Sequence, residues 1–133
     1  MRDTHAIGDI AVSKIVARCL ELGYKVSLPF GGGWSYDLIM DDNEKLYRVQ
    51  CKHARIRKGK VAFNVCSVKG NKSDHRTETY EGKVDLFLAY CTDNNKVYIV
   101  RMDQSTKSVM TLRLTPALNG QEKGVQWARD YEF

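Results

Sequence analysis

The stretch that most constrains the fold is "VDLFLAYC", residues 84–91, in which Asp85 is the only charged residue. A strand that is apolar on both faces belongs inside a sheet that is covered on both sides. The turn "TDNNK" follows at once and leads into a further strand, "VYIVRM". The run therefore predicts a sheet whose central strand is buried by other elements.

The rest of the chain predicts one α/β domain spanning residues 1–133. A first helix is predicted in "IGDIAVSKIVARCLELGYK", where apolar residues recur three and four apart and Gly23 provides the stop. The strands "KVSLP", "DLIM" and "LYRVQCKH" follow, separated by the loop "FGGGWSYD" and the turn "DDNEK". We interpret "ARIRKGK" as a basic turn, "VAFNVCSV" as one strand, "GNKSDHRTETYEG" as a polar loop and "NGQEKGVQWARDYEF" as a tail docked on the body.

Composition argues against several classes of protein. No apolar run approaches the ~20 residues that span a bilayer, and the first residues lack the order of a signal peptide. We therefore expect a cytoplasmic protein of a bacterial, archaeal or phage-infected cell, with no membrane partner. Four scattered cysteines favour reduced core thiols over a zinc or redox site. No phosphate-binding-loop lysine follows the glycines, so no nucleotide cofactor is expected.

Positive charge is concentrated in one segment of the chain. Residues 45–76 hold ten Lys or Arg and a single acid, Asp74, within a chain of net charge +5. Such asymmetry fits a polyanion partner, because phosphate contacts supply most non-specific affinity for nucleic acid. A solvated basic face explains the charge equally well. The candidate DNA contacts in this segment are Arg55, Arg57, Lys58, Lys60, Lys69, Lys72 and Arg76.

Three polar residues on neighbouring strands form the candidate active site. Asp37 opens one strand, and the next strand returns beside it carrying Gln50 and Lys52 on one face, since strand side chains alternate with period two. A carboxylate and an amide oxygen can hold a hard divalent cation that keeps several waters. A nearby lysine can position water and a phosphate. This set is suited to hydrolysing phosphodiester bonds.

The same residues resemble the signature of the PD-(D/E)XK nucleases, with Tyr36-Asp37 followed by Gln50-Cys51-Lys52. Over nearly the whole chain the sequence is similar to the branch with group I intron endonucleases and, more loosely, to archaeal-type Holliday junction resolvases. The resemblance implies a restriction-endonuclease-like α/β core, a mixed central sheet flanked by helices. It also implies Mg²⁺, with Mn²⁺ able to substitute, held by Asp37, Gln50 and the Cys51 carbonyl, with Lys52 as the catalytic lysine.

Two departures from the family pattern stand out. Glutamine replaces the acidic residue at position 50, a substitution known in the intron-endonuclease branch. The family also places a Glu on the first helix, expected here at Val12, where it is absent. Asp9, three residues earlier, is either its replacement or an acid that stabilises the helix N-terminus. Tyr80, Glu81 and Lys83 in "YEGK" resemble a family segment close to the site.

We therefore expect a magnesium-dependent endonuclease acting on double-stranded or branched DNA. A compact chain favours a Holliday junction resolvase, which we place first, and the closer resemblance makes a sequence-specific homing endonuclease the alternative. A DNA-binding module that has lost catalysis is the further alternative. Trp34 either stacks on a base or packs in the core. Two active sites for two strands imply a homodimer, with a tetramer possible, and "VDLFLAYC" and the aromatic tail are candidate interface material.

Overall fold

A computed structural model of the chain describes residues 3–71, 74–116, 119–120 and 124–133, with side chains described outside residues 67–77. Its helices and strands are α1 Thr4–Glu21, β1 Lys25–Ser27, β2 Leu38–Asp41, β3 Leu46–Arg57, β4 Lys60–Asn64, β5 Cys66–Asn71, β6 Asp74–Thr79, β7 Leu86–Cys91, β8 Lys96–Arg101 and β9 Val109–Arg113. Two short 3-10 turns cover Met102–Gln104 and Ala128–Tyr131. No helix in these ranges is long and apolar enough to cross a membrane.

Helix α1 begins and ends where its sequence provides caps. The Asp3 carboxylate accepts a hydrogen bond from the backbone N–H of Ala6 at 2.7 Å, which satisfies a donor of the first turn. At the other end Gly23 has φ +91°, the left-handed conformation that glycine adopts without strain. The buried residues Ala11, Ile15 and Cys19 lie four apart on one stripe. The predicted helix is confirmed, with its start moved back to Thr4.

Seven strands form one mixed sheet in the order β1-β2-β3-β4-β9, with β7 and β8 continuing from the other edge of β3. Strand β7 runs parallel to β3, and the other pairings between these strands are antiparallel. Strands β5 and β6 form a separate hairpin. The predicted α/β class with a mixed sheet is confirmed, and β3 is the strand that connects its two halves.

Strand β7 is buried at all six positions, as its sequence predicts. On one face, Leu88 and Tyr90 pack in a cluster with α1. On the other face, Phe87 and Ala89 belong to a cluster that includes residues of β4, β8 and β9. These side chains are buried within the chain, so "VDLFLAYC" cannot supply the exposed interface that its hydrophobicity suggested. The predicted docking of the aromatic tail is confirmed by Tyr131 and Phe133, which pack on the two clusters.

Three sequence interpretations in the basic segment are wrong. Strand β3 continues to Arg57, so the predicted basic turn reduces to Lys58 and Gly59, both with positive φ. The predicted strand at 61–68 is two strands, β4 and β5, interrupted at Val65. The predicted polar loop contains β6. The arginines at the end of β3 are exposed, and in each case pairing with a distant segment or within a hairpin, not local hydrophobicity, forms the strand.

An ion pair joins β3 to the start of β7. The Asp85 carboxylate accepts a hydrogen bond from the Arg48 backbone N–H at 2.8 Å and from its guanidinium at 3.2 and 3.1 Å. Arg48 also donates to the Gly82 carbonyl at 3.2 Å. The hydrogen bond from Arg48 holds the pKa of Asp85 below its ordinary value. The pair therefore stabilises the parallel β3–β7 contact while the carboxyl is ionised.

We expect Asp85→Asn to lower the free energy of unfolding at pH 7 by about 1 kcal/mol, allowing for partial exposure of the pair. Because the pKa of Asp85 is depressed in the folded state, its contribution is present above the ordinary carboxyl pKa and is lost as the pH falls. Urea unfolding at neutral and acidic pH measures both. The control is Asp103→Asn, which removes an exposed pair with Arg101. A loss that did not shrink in acid would contradict the assignment.

Candidate active site

The candidate site lies in a gap along one edge of β3. Strand β2 pairs with β3 over residues 46–49 and β4 pairs with it over residues 55–57. The backbone N–H groups of Arg48 and Ile56 bond to Asp85 and Asp93, on the β7 side. The backbone N–H and C=O groups of successive residues point to alternate edges of a strand. Those of the odd-numbered residues therefore point to the opposite edge of β3, where both β2 and β4 pair. Between these two strands, no strand in the described part of the chain pairs with this edge of β3.

Asp37 enters this gap with both its main chain and its side chain. Its backbone N–H donates to the Val49 carbonyl at 2.8 Å, extending the β2–β3 ladder by one bond. Its Oδ2 then accepts the next backbone N–H, that of Cys51, at 2.8 Å. The Cys51 carbonyl faces the same edge as its N–H. The Asp37 carboxylate and the Cys51 carbonyl are therefore held close together by the strand itself.

Burial makes the charge on Asp37 unfavourable. Removal from water raises the pKa of Asp37, and the Cys51 N–H and the positive charge of Lys52 only partly oppose this effect. A half-buried carboxylate of this kind is stabilised by a cation placed against it. Perturbed acids in concave sites are typical of functional centres.

Gln50 lies with Asp37 at a cavity of about 260 Å³. One wall of the cavity is the loop segment 33–35, and the other is formed by residues 78–80 together with Lys83. A cleft of about 380 Å³ between α1 and β8 is larger, but it contains none of the three predicted catalytic side chains. The chemistry of the lining residues therefore favours the smaller cavity.

Lys52 reaches the cavity wall through Tyr80. Its Nζ donates to the Tyr80 hydroxyl at 3.3 Å and lies 4.8 Å from the centroid of the same ring. Its charge also acts on Asp37. The structure thus brings together Asp37, Gln50 and Lys52, as strand alternation predicts.

The donor set fits a hard divalent cation. In the ranges that the structure describes, no group of three His, Cys, Asp or Glu side chains is placed to hold a metal. The oxygens that could hold a cation at the gap are the Asp37 carboxylate, the Gln50 amide and the Cys51 carbonyl, beside an open cavity with room for water. A second carboxylate, Glu78, lines the opposite wall and is ion-paired with Lys83. Mg²⁺ prefers oxygen ligands and retains several waters, so such a set suits it.

The structure does not bring Asp9 to this cavity. Asp9 is exposed on α1, and no residue of α1 lines the cavity. Val12 packs into the cluster between α1 and the sheet, on the face that holds Val49 and Cys51. Gln50 lies on the opposite face of β3 by alternation. A catalytic contribution from Asp9 therefore stays a prediction.

The structure describes the side chains of only some of the residues predicted to contact DNA. Arg55, Arg57 and Lys58 are exposed, and Lys60 is half-buried. Arg57 pairs with Lys60, and Lys60 pairs with Arg113 on β9, which aligns three basic residues across the strands. Lys69 and Arg76 face each other in the β5–β6 hairpin, but their side chains and the whole of Lys72 lie outside the described residues.

Sequence reasoning placed Tyr80 and Lys83 near the site but missed Glu78 on the same wall of the cavity. Glu78 lies there because β6 replaces the expected loop, and its carboxylate is 3.6 Å from the Lys83 ammonium. The pattern "RTETY" could have indicated this wall, because Glu78 and Tyr80 are two residues apart and their side chains point the same way if the chain is extended. Trp34 is 52% exposed, which rules out core packing as its role. Its indole N–H donates to the Phe30 carbonyl at 2.8 Å.

A family model described as PD-(D/E)XK endonuclease matches residues 2–133. The chain belongs to this family. A search of curated proteins gave no match. Among solved structures, the bacterial homing endonuclease I-Ssp6803I is similar, with 24% identity, a TM-score of 0.80, and coverage of 98% of this chain and 89% of the other. That likeness confirms the restriction-endonuclease-like fold.

As a PD-(D/E)XK endonuclease, the protein is a nuclease of a family that generally uses divalent metal ions. The predicted family is confirmed by the family model. The gap in the edge of β3 is the place where Asp37 and the Gln50-Cys51-Lys52 motif meet.

We expect Asp37→Asn to stabilise the metal-free PD-(D/E)XK endonuclease at neutral pH, by on the order of 0.5–1 kcal/mol. The raised pKa of Asp37 means that ionisation costs free energy in the folded state, and an amide removes that cost while its oxygen can still accept the Cys51 N–H. As the pH falls through the pKa of Asp37, the wild-type carboxyl gains a proton and the difference disappears.

Thermal unfolding in the presence of a chelator, over a pH series, measures this effect. Asp130→Asn, at an exposed carboxylate, is the control and should leave stability unchanged. A less stable Asp37→Asn protein at neutral pH would show that the ionised carboxylate is fully compensated without metal.

Proposed function

We propose that the protein is a magnesium-dependent DNA endonuclease that hydrolyses phosphodiester bonds at the Asp37–Gln50–Lys52 cavity. The observation that carries the proposal is the convergence of a desolvated carboxylate, two neutral oxygen donors and a lysine at the open edge of β3. An inactive DNA-binding module has no physical need for this carboxylate, whose burial costs stability.

Asp37, Gln50 and the Cys51 carbonyl would hold Mg²⁺, with Mn²⁺ able to take its place. When bound, the cation supplies charge that lowers the barrier to attack on the phosphodiester. Gln50 contributes an oxygen without a charge, so the site has one negative ligand fewer than a site with two carboxylates. The Cys51 N–H keeps Asp37 in place, and Lys52 donates to a phosphate oxygen or to the attacking water.

The proposed DNA surface is the wet face of the β3–β4–β9 sheet. Its other face packs through Val61, Phe63 and Leu112 into a core cluster, which leaves Arg57, Lys60 and Arg113 on the opposite side. By alternation, Arg55 and Arg57 lie on the face of β3 opposite Gln50 and Lys52, so a bound duplex has to pass the open edge of β3 to reach the cavity. Among the described residues, no acidic group forms an ion pair with Arg55, Arg57, Lys58 or Lys60. Basic side chains without ion pairs on a β-ribbon are suited to contact a DNA duplex, because the major groove admits a two-stranded ribbon.

Sequence-specific cleavage of a duplex is the substrate class that we favour. The extended strands give the small chain a surface for groove contacts, and a protein described as a homing endonuclease matches nearly its whole length. Branched DNA is the second candidate, because a small basic chain can also bind a junction through phosphates alone. We include a homodimer in the proposal, or a tetramer of two dimers, since one cavity per chain would cut one strand.

The test incubates purified protein with Mg²⁺ on a four-way junction, its linear arms and a sheared genomic DNA library. Cut ends are mapped by sequencing. We expect Asp37→Asn and Lys52→Ala to lower the cleavage rate at least about a hundredfold, because each removes a group that stabilises the transition state. Asp130→Asn should cleave normally.

Each outcome of this test has a distinct meaning. Discrete cuts in the library with intact junctions support the duplex enzyme. Paired nicks confined to the junction support a resolvase. Wild-type protein that binds DNA but cleaves none of these substrates, with either Mg²⁺ or Mn²⁺, refutes the nuclease proposal for this chain.

The proposed DNA surface predicts a defined salt dependence. We expect Arg57→Ala and Lys60→Ala each to weaken duplex binding and to reduce the slope of log affinity against log salt by about one, because each loses one phosphate contact. Fluorescence anisotropy over a salt series measures the slope. Lys25→Ala, at an exposed lysine on β1, is the charge-matched control and should leave the slope unchanged.

A further inference from the structure

The cavity wall formed by β6 and its following turn contains a tyrosine in contact with the proposed catalytic lysine. We propose that Tyr80 is a positioning residue that holds the Lys52 ammonium at the cavity. This inference rests on the proposed function, in which Lys52 acts on the scissile phosphate. The contact itself is a property of the protein without DNA or metal, so it can be tested separately.

Two different interactions join Tyr80 to the ammonium. The Lys52 Nζ donates to the Tyr80 hydroxyl at 3.3 Å, and it also lies 4.8 Å from the ring centroid. The second distance is within the range of a cation–π interaction. A lysine side chain is a flexible four-carbon chain and adopts many rotamers when it is unrestrained. Contacts with both the hydroxyl and the ring restrict the ammonium to a small volume.

Tyr80 is itself held by the fold. Its ring meets the ring of Phe87 edge-on, with centroids 5.7 Å apart, and Phe87 is fully buried in β7. The Tyr80 carbonyl accepts hydrogen bonds from Lys83 N–H at 2.9 Å and from Val84 N–H at 3.1 Å. Gly82 permits that turn with φ +75°. The central strand thus fixes the tyrosine, and the tyrosine fixes the lysine.

The neutral partner leaves the charge of Lys52 available. Lys83, which lines the same cavity, has its ammonium 3.6 Å from the Glu78 carboxylate, so its charge is partly cancelled there. Tyr80 orients Lys52 without bringing a negative charge of its own. An ammonium has three donors, and the hydroxyl takes one. The others remain for Asp37, a phosphate oxygen or water.

The first experiment detects the contact in the metal-free, DNA-free protein by ¹⁵N–¹H correlation spectra of the lysine ammonium groups. The Lys52 signal is assigned by its absence in Lys52→Ala. We expect it to be shifted upfield by the ring in wild type and in Tyr80→Phe, with faster hydrogen exchange in Tyr80→Phe because the hydroxyl is gone. Tyr80→Leu should lose the ring shift as well.

The matched control is Tyr90→Phe, at a tyrosine away from the cavity that also has a lysine near its ring and a hydrogen-bonded hydroxyl. Its hydroxyl donates to Asn95 at 2.8 Å, and Lys14 lies 5.9 Å from its ring centroid. This variant removes the bond to Asn95, keeps the ring beside Lys14, and should leave the Lys52 signal unaltered. It therefore separates a local effect on the ammonium from a general loosening of the protein.

The second experiment measures cleavage kinetics on whichever DNA the wild type cuts. Tyr80→Phe should lower kcat about tenfold with KM unchanged, because a hydrogen bond to a charged group is lost while DNA binding is kept. Tyr90→Phe should match wild type. Equal kcat values for Tyr80→Phe and wild type, or an unchanged Lys52 signal in Tyr80→Leu, would overturn the inference. If no DNA is cleaved, the nuclease proposal fails, and the spectra still decide whether Tyr80 holds Lys52.

Discussion

The hydrogen bond from the Cys51 amide to the Asp37 carboxylate is the contact on which the site depends. In an uninterrupted sheet that amide would bond to a carbonyl of the neighbouring strand. Here β2 begins beside Val49 and the pairing of β4 with β3 ends beside Arg55, so no strand among the described residues covers the edge of β3 between them. A side chain replaces the missing strand, and the site is thereby built into the ladder of hydrogen bonds. Its precision comes from backbone geometry, which varies less than side-chain rotamers.

The same arrangement lowers stability, because the carboxylate proposed for function is partly removed from water. A carboxylate held in the gap loses water, and one amide and a nearby lysine do not restore what water provided. The buried strand β7 and its two core clusters stabilise the sheet enough to tolerate that cost. Active sites commonly carry such local strain, which the surrounding fold supports. Phe87 links the core to the candidate active site, because it belongs to the core and its ring also contacts the ring of Tyr80.

Part of the site could be predicted because it follows from local rules. Alternation along a strand places Gln50 and Lys52 on one face, and a tight turn returns that strand to Asp37. The opposite wall could not be found in this way. Glu78 lies on β6, a polar strand that exists through its pairing with β5, and Tyr80 follows directly after that strand. Polar sequence alone resembles a loop. The C-terminal end of β3 was also taken for a turn, because its arginines face water and the sequence there is polar.

By itself the sequence determined the helix and the buried central strand, and it contained the side chains that we propose bind metal and phosphate. Periodicity and side-chain chemistry are local properties, so they can be read without the fold. Only the tertiary structure decided which edge of β3 stays open, which residues line the cavity and which cations share one wet face. These depend on pairings between segments that lie far apart in the chain, such as β3 with β7 and β4 with β9. Long-range pairing is set by global packing, and no short stretch of sequence contains it.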